Sequence, residues 1–154
     1  MRLVIQRVAR ATCRVDGEIT GEISQGLLVL VGVAAGDEPD ESQRMAAKTA
    51  ELRIFNDEQG RFERSLTDVG GGALVISEFT LIADVRKGRR PSFNGAARPS
   101  DARPVYEAYG KALSALGVKV EYGRFGTHMD IDLINDGPVT IVIDSADLDR
   151  PRRQ

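Results

Sequence analysis

The stretch "MDIDLINDGPVTIVID", Met129 to Asp144, decides how this chain is read. Two apolar arms, "MDIDLI" and "VTIVID", flank the tetrapeptide Asn135-Asp136-Gly137-Pro138. Asn-Asp-Gly between strand-like runs predicts a turn, and so a hairpin of two strands. Pro138 directly after Gly137 is more than a two-residue turn needs. An X-Pro bond is cis at low cost, and glycine is the most permissive residue to stand in front of it. The segment is therefore either a rigid strand connector or a tip shaped for a task.

Strand signals continue outward from it. "LVIQRVA" reads as a strand, and "ATCRV" and "EITGEI" flank Asp16-Gly17, a strong hairpin signal. "GLLVLVGVA", from Gly26, is a continuous apolar run of strand length and predicts a central strand buried on both faces. "FNDEQGRFE" predicts a hairpin, Gly70–Gly72 a flexible turn, and "ALVISEFTLIA" a strand. A helix is expected from Asp37 to about Leu52, with Met45, Thr49 and Leu52 at helical spacing. A second is expected from a cap at Ser100 or Asp101, with Pro104 in its first turn and Gly117 at its end. Val105, Tyr109, Ala112 and Leu116 would line its buried face. The reading is one α/β domain with more strand than helix, and a polar tail over 145–154.

Composition bounds the function. The 154 residues carry a net charge of −2, with 42% hydrophobic and 29% charged residues. Such a chain lacks the broad basic face that a long duplex requires, so no DNA partner is expected. No run approaches the roughly 20 apolar residues of a membrane span, and the first ten residues lack a signal peptide's apolar core. Cys13 is the only cysteine and reads as a buried thiol in a strand, consistent with a reducing cytoplasm.

His128 is the only histidine, so a Ser-His-Asp triad would have to use it, and a zinc site would need at least two more ligands from carboxylates alone, a poor set for zinc. "DVGGGALV" lacks the Lys-Ser/Thr of a phosphate-binding loop. No metal or cofactor is expected. Two stretches are polar where polarity needs a reason: "SEFTL" and "NDGPVT". In a regular strand Ser77 and Thr80 face opposite ways, and Glu78 faces away from Ser77. For Ser77 and Thr80 to serve one site, the strand must end or bulge near Phe79. These signals alone leave an enzyme and a binding module equally open.

Taken together, "QRV" (Gln6–Val8), "GLLVLVGV", "RIFND", "SEFTL", "RRPSF", "GRFGTHM" and "NDGPVT" resemble the D-aminoacyl-tRNA deacylases. The resemblance spans residues 1 to about 144 and leaves the tail outside. It implies a homodimer of α/β subunits built on barrel-like sheets, acting in the cytoplasm on the acceptor end of tRNA. The implied activity is hydrolysis of the ester between a D-amino acid and the 3′-terminal adenosine; glycine mischarged on tRNA is also a substrate. The alternative is a non-catalytic module that binds the terminal adenosine.

Carried over by position, Ser77, Phe79 and Thr80 match the pocket segment, while Glu78 departs from the family's Gln. Gly137 and Pro138 match a cis tip that enters the other subunit's pocket. There its two carbonyls hold the substrate's ammonium group and reject an L side chain. Phe125 resembles the ring that packs on the terminal adenine, and Arg7 the arginine that holds the tip. Thr80 as nucleophile is the lesser role, because no general base is apparent beside it. The long loop with Arg86, Lys87, Arg89 and Arg90 is expected either to be solvated or to touch acceptor-end phosphates.

Overall fold

Gly26–Gly32 (β3) stands at the centre of the sheet and is buried on both faces, as its apolar run predicts. The computed structural model describes residues 1–151; of the expected polar tail, residues 152–154 lie outside the described residues. β1 (Arg2–Val15) runs antiparallel to β3 and turns through Asp16-Gly17 into β2 (Glu18–Ile23). Both turn residues have positive φ, 51° and 82°, as the tight hairpin requires. On the other side of β3 lie β6 (Gly72–Ser77) and then β7 (Lys119–Tyr122), all parallel. A small hairpin, β4 (Phe55–Asn56) and β5 (Phe62–Arg64), stands apart.

The sheet order is β2-β1-β3-β6-β7, and its ends curl towards each other. Gly21 of β2 sits so close to β7 that a Cβ there would fall 2.5 Å from the Tyr122 carbonyl oxygen. The result is the nearly closed, barrel-like sheet that was expected. Alternation along the strands divides the apolar residues into two cores. Leu27, Val29, Val31, Ala73 and Val75 meet the helices, whereas Leu28, Leu74, Ile76, Val8 and the buried Cys13 fill the inside of the curl.

Two helices cover the outer face. In α1 (Pro39–Glu51), Met45, Ala46, Thr49 and Ala50 are buried. α2 (Pro99–Ala115) starts earlier than expected: Pro99 occupies the first turn after Arg98, and Pro104 lies inside the helix. Its buried stripe is Ala102, Val105, Tyr106, Tyr109 and Leu113, while Leu116 is 46% exposed rather than buried. Leu116 is the C-cap, just past the last helical residue, and so falls off the buried stripe. Thr49 and Tyr109 hydroxyls bond across the helix pair at 2.8 Å. Burial pushes the Tyr109 hydroxyl well above its ordinary pKa. Gly117, with φ of 87°, closes the helix.

The expected hairpin at Asn135–Pro138 is not formed. Asp130–Asp144 is one 15-residue strand, β8, antiparallel to β1 over almost its whole length. Gln6 pairs with Thr140 and Val8 with Asn135, so Asp136–Val139 bulge out opposite the single residue Arg7. Both arms pair with β1, and the turn residues between them serve a bulge rather than a reversal. Beyond β8, the Ser145 side chain accepts a hydrogen bond from the Met1 ammonium at 2.9 Å, and Arg44 pairs with Asp149 at 2.6 Å. No helix among the described residues is long and apolar enough to cross a membrane.

Candidate active site

β3, β6 and β7 are parallel, so their carboxyl ends open on one side of the sheet. Ligands in open α/β sheets bind outside such ends. Here the ends lead into Val33, into Ser77–Thr80 and into Gly123–Phe125. Between them lies a groove of about 630 Å³, lined by Val33, Ser77, Glu78, Phe79, Phe93, Ala97, Phe125, His128 and Met129 among others. Three expected site residues, Ser77, Phe79 and Phe125, therefore meet in one place.

The strand does end where a shared site requires it. β6 stops at Ser77, and Phe79–Ile82 forms a 3-10 turn. The longer strand expected from "ALVISEFTLIA" is thereby corrected. Leu81 and Ala83 donate to the Glu78 and Thr80 carbonyls. Among the described residues the Phe79 and Thr80 N–H groups have no acceptor, as befits the start of a helical turn. The Phe79 ring is 56% exposed and meets Phe93 edge-on, with centroids 5.0 Å apart.

Glu78 corrects a second expectation. It lines the groove beside Ser77 instead of facing away, because the backbone leaves the strand at φ −139°, ψ 86°. Its carboxylate accepts a hydrogen bond from the Thr80 hydroxyl. An acceptor for Thr80 therefore exists, which the sequence did not reveal; Thr80 itself is exposed beside the groove rather than part of its wall. At the other end, Phe125 packs on Tyr106 at 5.7 Å, and the Arg103 guanidinium stands 5.4 Å from the Phe125 ring centre. Tyr106 is anchored by a 2.8 Å bond from its hydroxyl to the Val75 carbonyl, and burial pushes that hydroxyl well above its usual pKa. His128 is 91% exposed and 3.4 Å from Asp130, with no nucleophile in its hydrogen bonds.

Arg7, Gly137 and Pro138 lie elsewhere in the same chain. The Gly137-Pro138 bond is cis. Gly137 has φ of 139°, and a Cβ there would fall 3.3 Å from the Arg7 guanidinium and 2.7 Å from the Val139 side chain, so glycine is required. Arg7 is only 6% exposed. It donates to the Asp136 carbonyl at 3.0 Å, the Ile54 carbonyl at 2.7 Å and Asn56 Oδ1 at 3.2 Å. The Asp136 carboxylate is 3.3 Å away, and the Phe62 ring centre 5.4 Å. Asn135 donates to the Arg7 and Val139 carbonyls at 3.0 and 2.9 Å and closes the neck of the bulge. Arg7 thus ties the base of the tip to Ile54 and to Asn56 of β4.

Tip and groove do not meet within one chain. Arg7 pairs with Leu27 and Ser77 with Val31, so they are four residues apart along β3. The tip is on β8, three strands from β6. At ~3.3 Å per residue and ~4.8 Å per strand this separates them by roughly 20 Å along the sheet.

The residues missed by sequence reasoning are Phe93, Ala97 and Arg103. They come from the long loop and from α2, whose packing against β6 and β7 has no local signature.

Comparison with known proteins agrees with this architecture. The profile of the family described as D-Tyr-tRNA(Tyr) deacylase matches residues 4–144. A D-aminoacyl-tRNA deacylase of Deinococcus radiodurans is 57% identical over 144 residues, covering 94% of this chain and 99% of that one. One from Roseiflexus is 54% identical over 154 residues, covering 100% and 99%. Among solved structures, the c-Myc DNA unwinding element binding protein superposes with a TM-score of 0.87 at 35% identity, over 94% of this chain and 98% of that one. A probable eukaryotic D-amino acid tRNA deacylase shares the fold, with a TM-score of 0.82 at 15% identity over 92% and 97%. With a profile match over nearly its whole length and relatives above half identity, the chain belongs to the D-Tyr-tRNA(Tyr) deacylase family.

Proposed function

We propose that this protein hydrolyses the ester between a D-amino acid and the 3′-terminal adenosine of tRNA, in the cytoplasm, releasing free D-amino acid and tRNA. Glycine mischarged on tRNA is a second substrate. The observation that carries the reading is the groove itself: Phe79, whose N–H is unpaired, lines it at one end with Thr80 and its unpaired N–H just beside it, and an anchored aromatic face, Phe125, lines the other. The adenine stacks on Phe125, and the ester carbonyl lies against the two N–H groups. These polarise the carbonyl and stabilise the developing oxyanion. Ser77 borders the reacting atoms, and Phe79 shields them from water on one side.

An aminoacyl ester is already activated, so the demands on the protein are modest. A 10⁴-fold acceleration corresponds to about 5.5 kcal/mol, within reach of positioning and aimed donors. The ribose 2′-hydroxyl of the substrate assists the attacking water. Thr80 remains the lesser candidate for nucleophile: its hydroxyl already donates to Glu78, and a carboxylate is a far weaker base than an alkoxide.

Chirality is read by the Gly137-Pro138 tip of a second subunit. The separation of tip and groove within one chain supports this assignment, because a partner is then needed to complete the site. The tip's carbonyls hold the ammonium group, and an L side chain collides with them. Arg7, which grips the Asp136 carbonyl next to the tip, holds it in place.

The test is multiple-turnover release of D-tyrosine from D-tyrosyl-tRNA, with glycyl-tRNA alongside and the oligomeric state measured at assay concentration. Turnover of both esters by a dimer is expected. Tight binding of uncharged tRNA without turnover would make this a binding module instead, and an active monomer would remove the partner's tip from the site.

A further inference from the structure

Basic residues lie near both ends of the groove. The exposed loop between the bridged residues Asp84 and Ser92, next to Phe93, carries Lys87, Arg89 and Arg90. At the other end is Phe125. That ring is a wall shared by the groove and by a second cleft of about 390 Å³ between α2 and β7, lined by Arg103, Tyr106, Glu107, Lys111, Tyr122, Arg124 and their neighbours. Arg103 stands over the Phe125 ring and is braced by Glu107 at 3.2 Å. Glu107 thus offsets Arg103, whereas no carboxylate partner is found for Lys111 or Arg124 among the described residues.

We propose that this second cleft is the track for the single-stranded nucleotides that precede the terminal adenosine, with Lys111 and Arg124 meeting their phosphodiesters. The proposal rests on the reading of the groove given above, and it follows from the geometry of a nucleotide. With the adenine on Phe125 and the 3′ ester at Phe79–Thr80, the 5′-phosphate lies on the side of the ribose away from the ester. The strand then leaves past Phe125, not past Phe93. Aromatic walls with interleaved cations are what a single strand requires: stacking for the bases and charge for the backbone, without sequence readout. The loop cations, at the ester end, are left outside this path.

The experiment compares the wild type with K111Q/R124Q and with K87Q/R89Q/R90Q. Two quantities are read. The first is binding of uncharged tRNA and its salt dependence. The second is the ratio of kcat/KM on D-tyrosyl-tRNA to that on D-tyrosyl-adenosine, which lacks the preceding phosphates. K111Q/R124Q is expected to weaken tRNA binding about tenfold, to lower the salt slope by about 0.7 per lost contact, and to lower the ratio about tenfold through KM. The loop variant is expected to move none of these by more than about twofold. Unchanged tRNA binding by K111Q/R124Q, or a tRNA-specific loss in the loop variant instead, would overturn the assignment. Because tRNA binding is read without turnover, a wild type that binds but does not hydrolyse would count against the deacylase reading and leave the track supported by its own data.

Discussion

At the residue scale, Glu78 separates two accounts of the chemistry. It lines the groove and accepts the Thr80 hydroxyl, so a catalytic base has become a concrete alternative. A carboxylate next to a developing oxyanion opposes catalysis, which argues that Glu78 serves by holding Thr80 rather than by touching the ester. Glutamine keeps an acceptor oxygen for that bond. Glu78→Gln is therefore expected to change kcat on D-tyrosyl-tRNA less than tenfold; a loss of a hundredfold or more would make Glu78 the base. What was legible at this scale was residue type and motif. Ser77, Phe79 and Phe125 were found through the resemblance and do converge in the groove. The orientation of Glu78 was not legible, because strand alternation fails where a strand ends. The anchoring of Arg7 was equally hidden, since Ile54 and Asn56 lie 47 and 49 residues away.

Elements carry the second set of lessons. Apolar runs marked β1, β3 and α1 well because each buries a face that its own sequence reports. "NDGPVT" misled because turn residues also serve bulges, and only pairing with β1 on both arms distinguishes the two. The joint between β3 and β6 shows how tightly the site's foundation is drawn. Gly26 pairs with Gly72, and a Cβ on Gly26 would overlap the Gly72 carbonyl oxygen and lie 2.8 Å from its nitrogen. Both neighbours are backbone and cannot swing aside. Gly26→Ala is expected to destabilise the protein by about 3 kcal/mol, read as a fall in the urea midpoint at constant slope. A change below about 0.5 kcal/mol would mean that the two strands are not packed as described.

Across the whole molecule, charge sets how stability responds to pH. Several carboxyls sit below their ordinary value of 3.8 in the folded chain: Asp57, held down by the Arg61 backbone N–H, and Asp68, by the Ser65 backbone N–H. At Asp144 partial burial pushes upward, but the Arg2 hydrogen bond, the Ala146 N–H and the charges of Arg2 and the chain's ammonium outweigh it. Groups with depressed folded-state values stabilise the fold above the unfolded value, and that stability is lost as pH falls through the folded value. The urea midpoint should therefore fall on acidification below about pH 4, and a midpoint that rose from pH 4 to 2.5 would contradict these assignments. In the proposed reading the site is incomplete in one chain, since the groove and the Gly137-Pro138 tip are held apart by the sheet between them. No local pattern reports that separation; it emerges only from the register of four strands. The central claim is that a steric tip, not a fitted side-chain pocket, selects the substrate. The measurement closest to it is the ratio of deacylation rates on matched D- and L-tyrosyl-tRNA, which carry the same ammonium, carbonyl and side chain. A ratio of at least about a hundred in favour of the D ester, equivalent to about 2.7 kcal/mol of clash, is predicted; equal rates on the two esters would contradict it.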